Sequence, residues 1–338
     1  MAPMKAAKGL ILGIVSAGCV ALTGCGGKGK GEGGYTEGAP KFAFVTNVAD
    51  PFWSHAKAGC KAASKDFQVN VDFEMNSAGD VAGQNKIIEN ILSKGDYEGI
   101  AISCLNPANQ TDMINGAAER MPVICHDSDA PNSNRLFYLG TNNVEAGRML
   151  GKLVKERMPE GGKIMIFVGK IDQLNAVQRR DGLLEELNSP PTQGKFIVLD
   201  DIQTDNADRS LAKKNAENTL VKYPEINAMI GLWAYNAPQC LEALRDADKL
   251  GKVKVFSFDE DPVALKAIKD GHCEGTVVQN PFQFGYLSIK YLKEIVVDKK
   301  NPELPANKEI SIPARTITKE NVEEFEKELK ANLAAAEG

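Results

Sequence analysis

The sequence predicts an α/β protein built from two doubly wound parallel-sheet lobes. Short continuous apolar runs alternate with amphipathic stretches from residue 41 to residue 297. Such runs are the strands of parallel sheets that helices cover on both faces. There are more of them than one sheet comfortably carries. About 300 residues follow the N-terminal segments, enough for two domains with a core each.

The elements follow in order. A strand over 41–46 carries Phe42, Phe44 and Val45. A helix over 51–67 places Phe52, Ala56, Cys60, Ala63 and Phe67 at steps of three or four. A strand over 69–73 precedes a helix over 80–93 with Val81, Ile88, Ile91 and Leu92 on one side. Then come a strand over 99–104, a helix over 108–120, and strands over 123–126 and 136–140. The second half repeats the rhythm. Helices over 144–158, 175–187, 207–222, 237–250, 262–270 and 282–297 alternate with strands over 163–169, 196–200, 228–232, 253–258 and 275–279. A last helix runs from Thr318, its N-cap, to about residue 335, with Val322, Phe325 and Leu329 placed to pack back on the body. No short-period repeat is visible.

The first 39 residues read differently. Lys5 and Lys8 precede an apolar stretch over 9–21, which has signal-peptide length and is short for a membrane-spanning helix. It closes on Leu22-Thr-Gly-Cys25, a tetrad that resembles the bacterial lipobox. The resemblance implies loss of residues 1–24 and a lipid-modified Cys25. Residues 25–39, rich in Gly with Lys and Glu, bury too little apolar surface to fold and read as a tether. The expected location is the periplasm or cell surface, lipid-anchored to a bacterial membrane. Acyl chains at about 0.8 kcal/mol per buried CH₂ would hold the chain there.

Bulk composition narrows the function. Net charge is −5 with both signs mixed along the chain, so no basic stripe points to nucleic acid. No further run of about 18 apolar residues points to another membrane span. Cys60, Cys104, Cys125, Cys240 and Cys273 lie beyond the leader, none in a close metal-ligand spacing. Cys104 and Cys125 end successive strands. They read either as a disulfide suited to an oxidising compartment or as small buried residues.

In doubly wound sheets, ligands bind beyond the C-terminal strand ends. The residues there are polar and aromatic. Asn47-Val-Ala-Asp-Pro-Phe-Trp53 follows the first strand, with Asp50 placed as an N-cap and Pro51 as first helical residue. Asn106-Pro107 and His126-Asp127-Ser128-Asp129 follow later strands. With only three histidines in the chain and no paired spacing, no metal or cofactor is expected. In the second half, Asn175 and Arg179 share a helix face. Trp233-Ala-Tyr-Asn236, Phe258-Asp259-Glu260-Asp261 and Gln279-Asn280-Pro281 end further strands. No one of these is specific; their shared placement is the signal.

The combination resembles the ribose/galactose-type periplasmic sugar-binding proteins, type I solute-binding proteins of ABC transporters. The motifs are Thr46-Asn-Val-Ala-Asp-Pro-Phe-Trp53, Pro122-Val-Ile-Cys-His-Asp127, Asn175-Ala-Val-Gln-Arg179, Val255-Phe-Ser-Phe-Asp259 and Thr276-Val-Val-Gln-Asn-Pro281. They span about Lys41 to Arg315. The resemblance implies two lobes joined by a three-crossover hinge that close on a monosaccharide. It implies a first lobe over 40–141 plus 280–309 and a second over 142–279 plus 310–317, with a C-terminal helix over 318–338. It makes Asp50 a polar ligand group, Phe52 and Trp53 stacking rings, Asp127 and Asp259 hydroxyl-binding carboxylates, Arg179 a helix-borne guanidinium and Gln279 an amide beside the hinge. Asn175, Trp233 and Asn236 join the expected site. Ribose-binding members carry Arg directly after the midway Asp, where this chain has Ser128. The Asn expected near Trp233 stands three residues later at Asn236. The ligand class survives these departures; ribose as the particular sugar does not.

The implied function is capture of a monosaccharide or related polyol and its delivery to an ABC permease, by a monomer and without catalysis. A receptor that presents its ligand for chemotaxis or sensing is the alternative. A sugar-acting enzyme is weaker, because no dinucleotide, phosphate-loop or nucleophile-elbow motif is present. A sugar-responsive repressor is weaker still, because a lipobox and tether occupy the place of a DNA-binding motif.

Overall fold

The structure, a computed structural model, describes residues 36–200 and 202–337. The expected leader, Cys25 and most of the expected tether lie outside the described residues.

The first run of elements is β1 (Lys41–Val45), α1 (Trp53–Phe67), β2 (Asn70–Glu74), α2 (Val81–Lys94), β3 (Gly99–Ile102), α3 (Pro107–Ala118), β4 (Val123–His126) and β5 (Tyr138–Gly140). The second is α4 (Asn143–Arg157), β6 (Gly162–Val168), α5 (Leu174–Leu187), β7 (Phe196–Val198), β8 (Gln203–Thr204), α6 (Arg209–Lys222), β9 (Ala228–Gly231), α7 (Asn236–Asp246), β10 (Lys254–Phe258), α8 (Pro262–Asp270) and β11 (Gly275–Val278). The chain ends with α9 (Pro281–Val296), β12 (Glu309–Ser311), β13 (Arg315–Ile317) and α10 (Val322–Glu337).

Two sheets form, in the orders β12-β5-β4-β3-β1-β2 and β13-β11-β10-β9-β6-β7, with β8 also beside β6. Every pairing is parallel except β13 with β11. From β1 to β5 and from β6 to β11 the strand orders are equivalent, so β4 and β10 occupy corresponding places. Alternate residues of each strand serve opposite faces. Phe42 and Phe44 pack under α1 and α9, while Ala43 and Val45 face Ile88 and Ile114. Ile164, Ile166 and Val168 likewise face one layer and Met165 and Phe167 the other. Burial on both faces explains why these strands read as unbroken apolar runs.

The chain crosses between sheets after β5, after β11 and between β12 and β13. The last crossing corrects the expected boundary. Glu309–Ser311 pairs with Tyr138–Gly140 in the first sheet, so the start of the expected 310–317 segment does not join the second lobe. That place goes to Arg315–Ile317, which runs antiparallel to β11. Both strands have only three residues at sheet edges, too short for a distinct pattern. The expected strand over 196–200 is shorter, Phe196–Val198, and a separate β8 beyond it meets a later stretch of β6.

Pro stands in the first turn of α3, α8 and α9, capped by Asn106, Asp261 and Asn280. The start of α1 differs from expectation. Trp53 N–H and Ser54 N–H donate to the carbonyls of Asp50 and Pro51, a tight turn ahead of the helix. Asp50 Oδ1 accepts from Phe52 N–H at 2.9 Å instead of capping a helix that begins at Pro51. Cys104 and Cys125 are free buried thiols, as are Cys60, Cys240 and Cys273.

A polar cleft between the two sheets as candidate functional site

The strand ends of both lobes meet in a cleft. Nine of the ten expected residues line it: Asp50, Phe52, Trp53 and Asp127 from the first lobe, and Asn175, Arg179, Trp233, Asp259 and Gln279 from the second. Asn236 does not. Its Oδ1 accepts from Trp233 N–H at 2.9 Å and its Nδ2 donates to Asp205 at 2.9 Å, so it braces the loop from behind. The sequence gives its distance along the chain but not the turn that directs it inward.

Asp127 and Asp259 are the paired centre. They follow the equivalent strands β4 and β10, and both have positive φ, +57° and +64°. A non-glycine residue in the left-handed region is uncommon, and Asp tolerates it better than most. Each backbone is tied down. Tyr138 Oη donates to Asp127 O at 2.9 Å, and Thr276 Oγ1 donates to Asp259 O at 2.7 Å. The strained turn lifts each carboxylate off its strand into the cleft.

Asp127 Oδ2 accepts from Ser103 Oγ at 2.7 Å, and the Asn175 amide reaches both its oxygens at 3.4 and 3.5 Å. That contact joins the lobes. Asp259 Oδ1 accepts from Gln279 Nε2 at 2.9 Å, and its Oδ2 lies 3.7 Å from Arg179 Nη1. Burial pushes both acids above the ordinary carboxylate range, against the opposing pull of Arg179 and their hydrogen bonds.

Arg179 is 1% exposed. Its Nε donates to Asn143 Oδ1 at 2.9 Å, its Nη1 to Leu232 O at 3.0 Å, and its guanidinium lies 4.0 Å from the centre of the Phe258 ring. Nη2 is left without a partner. Asn175 Oδ1, Trp233 Nε1 and Gln279 Oε1 are also buried and unpartnered. Such groups cost stability in isolation, so four facing one cavity mark a site prepared for a polar guest.

Rings provide the apolar walls. Trp53 is 2% exposed and packs edge-on to Phe52, Phe44 and His126, so much of it is core. Its Nε1 donates to Asn47 Oδ1 at 3.2 Å. Asn47 is not among the expected site residues, although it stands two residues beyond β1 and also reaches Asp127 at 3.5 Å. Tyr235 is another addition; its ring lines the cleft while its hydroxyl donates to Asp205. His126 stacks on Phe44 at 3.9 Å, and burial lowers it to about 3, so it is a neutral core ring. Ser128 is buried, and the nearby Arg135 turns to Asp129 and away from the cleft.

Asp50 has an interlobe role as well. Its Oδ2 meets Arg209 of α6 at 2.8 Å, and Arg209 also approaches Asp261 at 3.8 Å and Tyr235 at 5.1 Å. Arg209 is the first residue of α6, ahead of the Ala212, Ala216 and Leu220 that the helix buries, so nothing in its local sequence marks it.

Comparison with known proteins agrees with this geometry. The profile of the periplasmic binding protein domain matches residues 42–300. The D-allose-binding periplasmic protein of Escherichia coli is 27% identical over 281 residues, covering 80% of this chain and 88% of that protein. The ribose import binding protein of the same organism is 25% identical, covering 76% and 84%. Among solved structures, an ABC transporter solute-binding protein from Burkholderia graminis in complex with D-arabinose is 26% identical. It superposes with a TM-score of 0.77, covering 83% of this chain and 96% of that one.

Proposed function

This chain belongs to the periplasmic binding protein family, and from that premise we propose that it captures a monosaccharide or related polyol between its lobes and hands it to an ABC permease. Four unpartnered buried polar groups on residues that line one cleft with the carboxylate pair carry this reading. A sugar offers hydroxyls around its rim and C–H surface on its faces. Asp127 and Asp259 accept from hydroxyls, while Arg179, Asn175, Trp233 and Gln279 supply donors and acceptors. Charge-assisted bonds of this kind contribute about 1.5–3 kcal/mol each. Trp53, Phe52 and Tyr235 pack against the faces. The relatives named for allose, ribose and arabinose support the aldose class. Ser128, where ribose-binding members carry Arg, argues against ribose itself.

The same reading places Asp50 at the edge of the sugar, shared with Arg209. It makes the protein a monomeric, non-catalytic carrier anchored through Cys25. A thermal-shift screen against pentoses, hexoses and inositols tests the capture. A ligand at 100 times its Kd adds about 2.7 kcal/mol of stability; no shift with any of them would falsify it. The anchor is tested separately. The chain produced in a lipoprotein-processing bacterium is expected to partition into detergent, and Cys25→Ser to remain in the aqueous phase.

A further inference from the structure

Beside the cleft lies a larger cavity of about 330 Å³, partly open to solvent. Asp50, Phe52 and Ala234 line both, so the two adjoin across these three residues. Its walls come from three elements: Pro51 and His55 around the start of α1, Pro262 and Leu265 of α8, and Leu329 and Leu333 of α10. The cavity is not a gap left by open lobes. Asn175 already touches Asp127 across the cleft, and Arg209 touches Asp50.

Two features give the cavity a chemistry. Apolar side chains from both lobes and α10 form much of its wall, a surface that favours apolar groups. Glu260, also on the wall, is 5% exposed and has both carboxylate oxygens buried without a hydrogen-bond partner. A buried carboxylate in that state gains from a donor or a cation and loses from a second anion. The other acids of the lining, Asp50, Asp261 and Glu326, are held by Arg209 and Lys269, and among the described residues of the lining Lys330 is the one Lys or Arg.

We propose that this cavity is a second compartment of the binding site, and that it receives an apolar, neutral or cationic substituent carried by the polyol in the cleft. The preferred ligand is then a substituted sugar, such as a glycoside with a hydrophobic or amine-bearing aglycone. This rests on the sugar-capture reading. It explains why an acid stands buried and unpaired beside the sugar site, and why α10 forms one wall of the second cavity.

The test uses the purified full-length chain and calorimetry. The tightest unmodified sugar from the thermal-shift screen is compared with its methyl, phenyl, 2-aminoethyl and 4-carboxyphenyl derivatives. The phenyl or aminoethyl form is expected to bind at least about tenfold more tightly than the parent, and the carboxyphenyl form more weakly than the phenyl. Leu333→Trp, which fills the compartment, is expected to abolish that gain and leave the parent sugar within about twofold. Leu333→Ala, which removes bulk without filling, keeps the parent affinity and checks that α10 tolerates change there. Parent sugars that bind normally while every derivative binds no better overturn the second compartment alone. A gain that survives Leu333→Trp, with circular dichroism showing a folded protein, also overturns it. Failure of parents and derivatives together overturns the capture reading and this inference with it.

Discussion

At the scale of single residues, the site depends on carboxylates held where water cannot solvate them. Asp259 has a strained backbone, a glutamine partner on Oδ1 and a guanidinium 3.7 Å from Oδ2, which leaves that outer oxygen to accept two hydroxyls. Removing it deletes two charge-assisted bonds at about 1.5–3 kcal/mol each, so Asp259→Ala is expected to weaken sugar binding by about 10²–10⁴-fold. Calorimetry on a variant with native circular dichroism measures this; near-native affinity would place the anchor elsewhere. Glu260 yields a different prediction. Burial, reinforced by Asp259, raises it well above the ordinary glutamate range, so without a ligand it keeps its proton to higher pH in the folded protein than in the unfolded chain. Folding therefore takes up a proton between the unfolded and the raised folded pKa, and stability falls as pH rises through that window. Glu260→Gln removes this loss. Its stability relative to wild type should be unchanged near pH 4 and greater by on the order of 1 kcal/mol at pH 8. Denaturant melts at the two pH values decide it, and a difference that does not vary with pH would exclude the buried acid as the cause.

At the scale of elements, the two helices that present side chains to the cleft are fixed in the same way. α1 meets α9 through Gly59 and Gly285; a Cβ on either would stand 2.0 or 2.1 Å from the backbone oxygen of Phe282 or Ala56. α5 meets α4 through Gly182 and Gly147, where the distances are 2.0 Å to Val144 O and 2.2 Å to Arg179 O. α4 and α9 each begin just beyond a crossover, so the close contacts lock the binding helices to the crossover segments. Gly182→Ala is expected to cost about 1–3 kcal/mol, because backbone atoms cannot yield as a side chain can. It should also weaken sugar binding by displacing Arg179. Gly116→Ala in α3 meets open space and should add about 0.5–1 kcal/mol. Thermal melts of the pair test the contrast, and equal effects would refute it. These elements also show what the sequence could and could not disclose. Strands such as Lys41–Val45 and Lys254–Phe258 were legible because two-sided burial leaves them apolar throughout. Asp127, Arg179 and Asp259 were legible because they directly follow such strands or share a helix face behind one. The placement of β12 and β13, the inward turn of Asn236 and the reach of Arg209 were not. Each depends on contacts between distant segments, and three-residue edge strands or one surface arginine carry no periodic signal.

At the scale of the molecule, function requires the lobes to open and close about three crossovers, and the interlobe contacts show what holds them shut without a ligand. Asn175 to Asp127 lies inside the cleft and would yield to a bound sugar. Arg209 to Asp50, at 2.8 Å, lies at the mouth and could remain, with α10 spanning both lobes outside it. α10 is rooted in the second lobe by Val322 and Phe325 and by Lys269 to Glu326, while its length lies along α1 of the first. Arg209 is 40% exposed, so its pair is worth only about 0.2–1 kcal/mol, and dissolved salt weakens it further. That is enough to act as a latch. Closure follows encounter, so loss of the latch should leave the association rate unchanged and raise the dissociation rate of Arg209→Gln by up to about fivefold. The chain supplies its own reporter: its two tryptophans, Trp53 and Trp233, both line the cleft. Stopped-flow tryptophan fluorescence at low salt should show the faster release, and the two proteins should converge as ionic strength rises above about 0.5 M, where the Debye length is only a few ångströms. A change confined to association would instead make Arg209 a steering charge on the open protein. A difference that persists in high salt would make it a packing residue on Tyr235, acting through its stem and plane and not through its charge.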